Sequence, residues 1–471
     1  MKLIFFLSFF LTINYYSYSQ TSQLYLPLNF QNAIENGTRT ANGKAGHNYW
    51  QNSSDYEISV ELLPDSSYLI GNEKITYYNN SPDSLKELVI RLYQNISKVG
   101  SIRDWYVPQK YLNDGVKLNY LVLNGDTLDI SESSREIVTS STNLIIRLND
   151  KIPPKSKIGL NVGWEFKISE ELRLRMGNYG DGNYYVAYWY PQIAVYDDID
   201  GWDKINYAGW VEFYNDFNNY DVRIKVPKGM VVWATGELQN SDEVLRKDIF
   251  EKYELAKLSD STVKIIEQSD YNLGVVTTEN EFNVWKYKAE NVTDFTFATS
   301  KTFNWDGASV IVDSSTGRRA LTDVVYKDGT IHYDKGAQYA RATIEYLSSD
   351  IPGYPYPYSH ATSYCNGNRG GGMESPMMAN NGAPKDRPRH VGLIFHEIAH
   401  NYFPFMMGTN ERKYAWMDEG WAAFLPTELV QYYDPDYDYH ENRIRSFERY
   451  SGYESDLPLV VPSYSYKTGL G

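Results

Sequence analysis

Two of the seven histidines in this 471-residue chain, His396 and His400, sit four apart in VGLIFHEIAHNYF. Apolar residues surround the pair at helical spacing, and on a helix positions i and i+4 share a face with Cβ atoms roughly 5–6 Å apart. That separation lets two imidazoles converge on one ion through bonds of about 2.0–2.1 Å. Glu397 lies beside the same face, placed to reach a water on the metal rather than the metal itself. The competing reading is a pair of partly buried histidines satisfied by protein partners. A zinc site needs a third protein ligand and an open position. Glu419, nineteen residues after His400 within WMDEGWAAF, supplies that ligand. Gly408 and the polar TNERK stretch end the first helix and turn the chain, so that a second helix offers Glu419 to the same ion. Asp418 should point elsewhere and support a ligand from behind. The stretch reads as a site for one Zn2+ per chain.

Upstream, GGGMES places Gly370, Gly371 and Gly372 before Met373 and Glu374. Glycines there permit close backbone approach and sit badly in a packed strand unless something lies against them. A carboxylate beside a catalytic zinc can bind the ammonium of a peptide's free N-terminus by a charge-assisted hydrogen bond. Such an anchor makes cleavage exo rather than endo; the plainer alternative is a structural turn. Arg369 suits a peptide carbonyl or a loop salt bridge. His360, His390 and His440 fall outside any ligand spacing and read as surface or loop residues. Cys365, the only cysteine, reads as a small buried residue rather than a nucleophile, and the chain has no internal disulfide.

The elements that must hold these groups change character along the chain. From Tyr49 the pattern has period two: Tyr56, Ile58, Val60 and Leu62, then Leu88, Ile90 and Leu92, then Tyr220, Val222, Ile224 and Val226 alternate with polar neighbours, as strands with one buried face require. Turn residues separate these runs, giving a β-rich domain over 49–300 with a charged helical insert between Asn240 and Glu267. The stretches ALTDVV and Ala337 to Leu347 have helical spacing, IPGYPYPYS breaks the pattern, and helices run through HEIAHNYF and DEGWAAFLPTEL. Residues 305–471 therefore read as α+β, and 20–48 as a loosely ordered arm. The aromatic stretches YVAYWYP and PGYPYPY read as packing, with an S1 pocket as the alternative.

Residues 1–19 have a basic start at Lys2, an apolar run from Leu3 to Ile13 and small residues Ser17 and Ser19, the pattern of a secretory signal cleaved near Ser19 or Gln20. Export to the periplasm or the exterior follows; a retained signal anchor is the alternative. No later stretch reaches the roughly eighteen apolar residues of a membrane span. A net charge of −15 disfavours nucleic acid or anionic lipid as a partner.

Taken together, His396-Glu397-Ile398-Ala399-His400 with Glu419, and Gly371-Gly372-Met373-Glu374, resemble the aminopeptidase N family of gluzincin zinc peptidases. YWQNSSDYEISVELL, WYPQIAVYDDIDGW with VVWATGEL, and ENVTDFTFATS look like that family's N-terminal β domain, closest to its secreted bacterial branch. The resemblance runs from about Tyr49 to the C-terminus. It implies a multidomain α+β chain, with a saddle-like β-sandwich domain followed by a thermolysin-like catalytic domain. It also implies peptide substrates with a free N-terminus, Glu397 as general base, and an oxyanion-stabilising tyrosine matched by Tyr464 or Tyr466. Two departures stand out. Ser375 replaces the family's usual Asn after Glu374, and the sequence stops at Gly471 where the family continues, as a truncated chain would. An endopeptidase on the same scaffold, or a non-catalytic binding protein with an incomplete site, are the other readings.

Overall fold

The computed structural model describes residues 25–131, 133–169, 175–368, 370–454 and 456–465. The signal-like leader, Arg369 and Tyr466 lie outside the described residues.

Two compact units are distinguished, one formed by the N-terminal segment to Trp50 with Asp198–Asp200, the other by 51–197 and 201–471. In the first, the segment expected to be a loose arm contains a helix, Leu28–Glu35. There Arg39 makes a bidentate pair with Asp198 at 2.7 and 2.9 Å, and Asn29 Nδ2 donates to Asp200 Oδ1 at 3.0 Å.

The second unit begins with an eight-stranded sheet centred on Phe282–Val292, Asn218–Pro227, Ser53–Leu63, Tyr68–Asn79 and Ser156–Lys167 in that spatial order. The Ser53–Leu63 strand pairs parallel with Asn218–Pro227 and antiparallel with Tyr68–Asn79. Tyr56, Ile58, Val60 and Leu62 are buried with more exposed residues between them, the alternation a half-buried sheet needs. Smaller four-stranded sheets follow, and the insert forms helices Ser241–Val244 and Lys247–Ala256.

A six-stranded sheet then carries the chemistry. Its order is Val263–Ile266, Asn304–Asp313, Arg318–Tyr326, His360–Cys365, Met378–Asn381 and Glu374–Ser375. The expectation of a helix over ALTDVV is corrected here, because those residues lie in the strand Arg318–Tyr326. Residues 320–326 of that strand are all buried. A short continuous apolar run carries no periodicity that separates a buried strand from a helix. The expected helix at 337–347 is present as Gly336–Ser349. DEGWAAFLPTEL splits into Glu419–Phe424 and Thr427–Tyr433, with Pro426 opening the second piece.

One hydrophobic core runs from Tyr56 to Tyr439 without interruption. Tyr188, Trp189 and Tyr190 of YVAYWYP are part of it. Cys365 is buried in a small satellite cluster with Tyr326 and Tyr333, and burial pushes its thiol up to about 11, as an inert structural thiol requires. Among the described residues no helix is long and apolar enough to cross a membrane. The fold is sheet-rich α+β.

Candidate metal centre

The helix Arg387–Ala399 begins with Pro388 in its first turn, where a missing N–H costs nothing. It is buried on most sides, with His390, Val391, Ile394, Phe395 and Ile398 in the interior. Gly392 suits this packing, since a Cβ there would lie 3.2 Å from the Tyr439 ring, a tight contact that the ring would have to yield to. The α-helical ladder stops at His400 because Pro404 has no N–H to offer its carbonyl. Phe405 N donates to His400 O instead, at 3.1 Å. A π-type turn over Asn401–Met406 results, a distortion that recurs at functional sites. Gly408 then turns the chain at φ +63°, with the Phe217 ring against the space a side chain would take.

His396 and His400 meet on one face of this helix, their Nε2 atoms 3.2 Å apart. Glu419 opens the helix Glu419–Phe424 and brings Oε2 to 3.2 Å from His396 Nε2. Donor atoms of all three residues lie within 4.8 Å of one another. In a tetrahedron with bonds of about 2.0–2.1 Å the ligand–ligand edge is roughly 3.3–3.4 Å, so both closest separations match the spacing around one zinc ion. The donor chemistry, two imidazole nitrogens and a carboxylate oxygen, also fits zinc. His400 is fully buried, and its Nδ1 lies 2.5 Å from Asp418 Oδ1 and 3.1 Å from the Phe403 carbonyl oxygen. Those bonds leave Nε2 as the ring nitrogen that could bind a metal. Asp418 thus stands behind His400, on the side away from Nε2.

Glu397 is buried, and one carboxylate oxygen has no hydrogen-bond partner among the described residues. Burial raises its pKa to about 7, against the opposing pull of His396 and His400. Gly372 explains the glycine run. A Cβ at that position would lie 2.2 Å from Glu397 Oε1 and 2.8 Å from Asn381 Oδ1, so any side chain there must displace the carboxylate over which the chain passes. Gly371 sits at φ +61°, and Met373 exchanges backbone hydrogen bonds with Asn380 at 3.1 and 2.9 Å. Gly371–Glu374 therefore form the free edge of the six-stranded sheet beside the histidines.

Glu374 is buried at the end of this edge, with a carboxylate oxygen within 4.8 Å of donor atoms of Glu397 and His400. Burial holds it well above the ordinary carboxyl range. Ser375 is anchored across the sheets by Thr296 Oγ1 at 3.0 Å and Tyr185 OH at 3.4 Å. Met377 takes φ +64° and donates its N–H to Asn401 Oδ1 at 2.8 Å, so the turn after Glu374 is tied to the residue following His400.

Several residues at the site carried no signal in the sequence. Glu411 is buried with carboxylate oxygens within 4.8 Å of those of Glu374 and Asp418. Its neighbour Arg412 is fully buried, with Nη1 3.2 Å from Asp203 Oδ2 and 2.7 Å from the Ile205 carbonyl oxygen. Asp203 is shared with the buried Arg91 at 2.6 Å, which pins the loop carrying Glu411 to the β-rich part. Arg175 pairs with Glu212 at 2.6 Å and reaches the Met373 sulfur at 3.0 Å. No motif links these loops to the histidines; only folding brings them together.

Other expectations fare differently. Tyr464 lies on a short turn, Ser463–Ser465, whose Ser463 N–H donates to the Lys413 carbonyl oxygen at 3.0 Å. Among the described residues Tyr464 makes no hydrogen bond to the His396–His400–Glu419 group. His390 and His360 correct the expectation of surface or loop histidines. His390 faces Tyr333 inside the helix packing, at 4.7 Å between ring centroids, and burial lowers it to about 3. His360 opens a strand, bonded at both ring nitrogens. A neutral imidazole packs as an aromatic, so a lone histidine in sequence does not disclose its burial. His440 is exposed.

Known structures share this architecture. The M1 zinc metallopeptidase from Deinococcus radiodurans superposes with a TM-score of 0.53 at 14% identity, covering 88% of this chain and 79% of that one. A point mutant of it gives the same score over 89% and 79%, and a mutant described as bound to a Tyr-Ser-Ala substrate gives 0.51 at 13% identity over 86% and 76%. The fold resembles that of M1 zinc metallopeptidases. No family model and no curated protein matches the sequence.

Proposed function

We propose that this chain is a zinc-dependent aminopeptidase, hydrolysing the first peptide bond of substrates with a free N-terminus. The observation that carries the reading is the position of Glu374. Its carboxylate lies within 4.8 Å of Glu397 and His400, so an ammonium held there puts the first peptide carbonyl beside the metal ligands. The likeness in fold to zinc metallopeptidases supports the same chemistry. The D. radiodurans mutant bound to a tripeptide makes a peptide the natural substrate class to test.

His396, His400 and Glu419 would hold the zinc, which would supply Lewis acidity and make water acidic enough to give up a proton near neutral pH. The remaining work falls to the protein. Glu397 takes the proton of the attacking water and delivers it to the leaving amine. Gly372 holds the Glu397 carboxylate in place by leaving room for it. Asp418 fixes the tautomer and ring angle of His400. Glu374 binds the α-ammonium, with Gly371, Gly372 and Met373 presenting the strand edge along which the substrate backbone lies. Tyr464 or Tyr466 donates to the developing oxyanion, and the β-rich residues 49–300 and the α+β residues 305–471, joined by one apolar core, make up an exported enzyme.

Hydrolysis of alanyl-peptides with free and N-acetylated termini tests the anchor. The acetylated substrate should lose about 10²-fold or more in kcat/KM, because an unpaired buried carboxylate is left behind. Equal rates would remove the exopeptidase claim and leave an endopeptidase. Glu374→Gln should cost activity on free termini through KM and kcat together, with zinc still bound.

A further inference from the structure

Glu411 is 7% exposed and Glu374 5%, and carboxylate oxygens of the two lie within 4.8 Å of each other and of one from Asp418. Asp418 is already committed, with Oδ1 2.5 Å from His400 Nδ1. Glu374 and Glu411 are not: among the described residues no lysine or arginine pairs with either. The guanidiniums close by have other partners. Arg412, next in the chain to Glu411, is held by Asp203 and the Ile205 carbonyl oxygen. Arg175, 5.2 Å from the centre of the Phe213 ring, grips Glu212 at 2.6 and 3.0 Å. Two carboxylates this close and out of water repel each other unless a positive group or a shared proton comes between them.

The space beside them suits one small cation. Glu374 and Glu411 both line a cavity of about 10 Å³, roughly one water-sized sphere. Tyr188, Phe213 and Phe405 give it aromatic walls, and no lysine, arginine or histidine is among the lining residues. Its third acid, Asp294, already accepts from Tyr190 OH and Phe295 N at 2.7 Å. Carboxylates and ring faces both attract positive charge. An ammonium is close to water in size, and its N–H bonds to charged oxygens, about 2.7–2.9 Å long, set two acceptors roughly 4.4–4.7 Å apart around a tetrahedral nitrogen. The 4.8 Å limit on the Glu374–Glu411 separation admits that spacing. Glu374 also lies within 4.8 Å of Glu397 and His400, so a group held here adjoins the metal ligands.

We propose that Glu411 is the second carboxylate of the substrate's ammonium site, and that with Glu374 it confines the site to an unsubstituted primary amine. Glu411 takes this role only if Glu374 is the amine anchor proposed above, and it adds a substrate class to that anchor. A methyl group on the nitrogen keeps the positive charge but replaces one donor, and it needs room that a water-sized cavity lacks. Peptides beginning with an N-methylated residue, or with proline, whose nitrogen is secondary, are therefore excluded. An anchor made of Glu374 alone would still pair with these secondary ammoniums.

Calorimetric titration of the full, zinc-loaded chain carrying Glu397→Gln, which prevents turnover, tests this with L-leucinamide and its Nα-methyl and Nα-acetyl derivatives. The Nα-methyl derivative should bind about tenfold or more weakly than L-leucinamide. Adding Glu411→Gln, which keeps the shape and removes the charge, should weaken L-leucinamide about tenfold or more with zinc content unchanged. Adding Glu411→Ala instead enlarges the cavity and should bring the two amines close to equal affinity. Suppose the free amine outbinds the acetyl derivative but equals the Nα-methyl one, ignores Glu411→Gln, or is favoured over the Nα-methyl one as strongly in Glu411→Ala. Any of these results would overturn the role of Glu411 while leaving the Glu374 anchor standing, with a proton rather than the amine between the acids. If the acetyl derivative binds as tightly as the free amine, or none of the three binds, the Glu374 anchor falls and Glu411 with it.

Discussion

At position 372 the sequence has glycine because the Glu397 carboxylate occupies the place of a side chain. A methyl group there must displace the Glu397 carboxylate, the proposed general base, and a displacement of about 1 Å costs on the order of 10²-fold in rate. Gly372→Ala should therefore fold with parental circular dichroism and bind zinc, yet lose at least about that much kcat/KM. Parental activity in that variant would show that Glu397 does not act where it lies. Glu397→Gln should keep zinc and lose about 10²–10⁴-fold in kcat. Asp418→Asn should weaken zinc about 10–100-fold by equilibrium dialysis, because His400 loses the carboxylate behind it. At this scale much was legible: His396, His400 and Glu419 announce themselves because imidazoles four apart on a helix have few uses. Gly372 was legible as a close approach but not as an approach to Glu397. Glu411 was not legible at all, since a loop acid becomes part of the site only when Arg412 and Asp203 pin the loop.

Among the elements, the strand Tyr68–Asn79 contains a residue that works against folding. Glu73 pairs in register with Ile58 and Val162 and is 2% exposed, with neither carboxyl oxygen partnered among the described residues. Burial pushes its pKa well above the ordinary 4.5. The folded state therefore keeps a proton that the unfolded chain releases, and stability falls as pH rises above the unfolded value. Glu73→Met removes that term while conserving shape. In urea unfolding it should gain at least about 1 kcal/mol over the parent at pH 7, with a smaller gain at pH 4. A gain that is absent or independent of pH would mean Glu73 has partners in the folded state. The strands around it were readable from period-two alternation. Arg318–Tyr326 was not, because a strand buried on both faces has no alternation to read.

For the whole molecule, the sequence foretold β-rich and α+β parts. It did not foretell that one apolar cluster would run through both, from Tyr56 to Tyr439, because which faces meet is a property of folded surfaces. That shared core places Thr235 Oγ1 2.8 Å from the Pro376 carbonyl oxygen, so residues from the first half brace the turn after Glu374. The likeness to solved M1 zinc metallopeptidases at 13–14% identity is likewise one of packing geometry, shared where few side chains are identical. The account as a whole depends on His396, His400 and Glu419 holding one zinc ion. Zinc bound per folded chain after exhaustive dialysis measures this directly. The parent and Glu397→Gln should each retain about one equivalent, whereas His396→Ala, His400→Ala and Glu419→Ala should each bind zinc at least about 10²-fold more weakly. Parental zinc affinity in the Glu419→Ala variant, or a parent that binds none, would contradict the account.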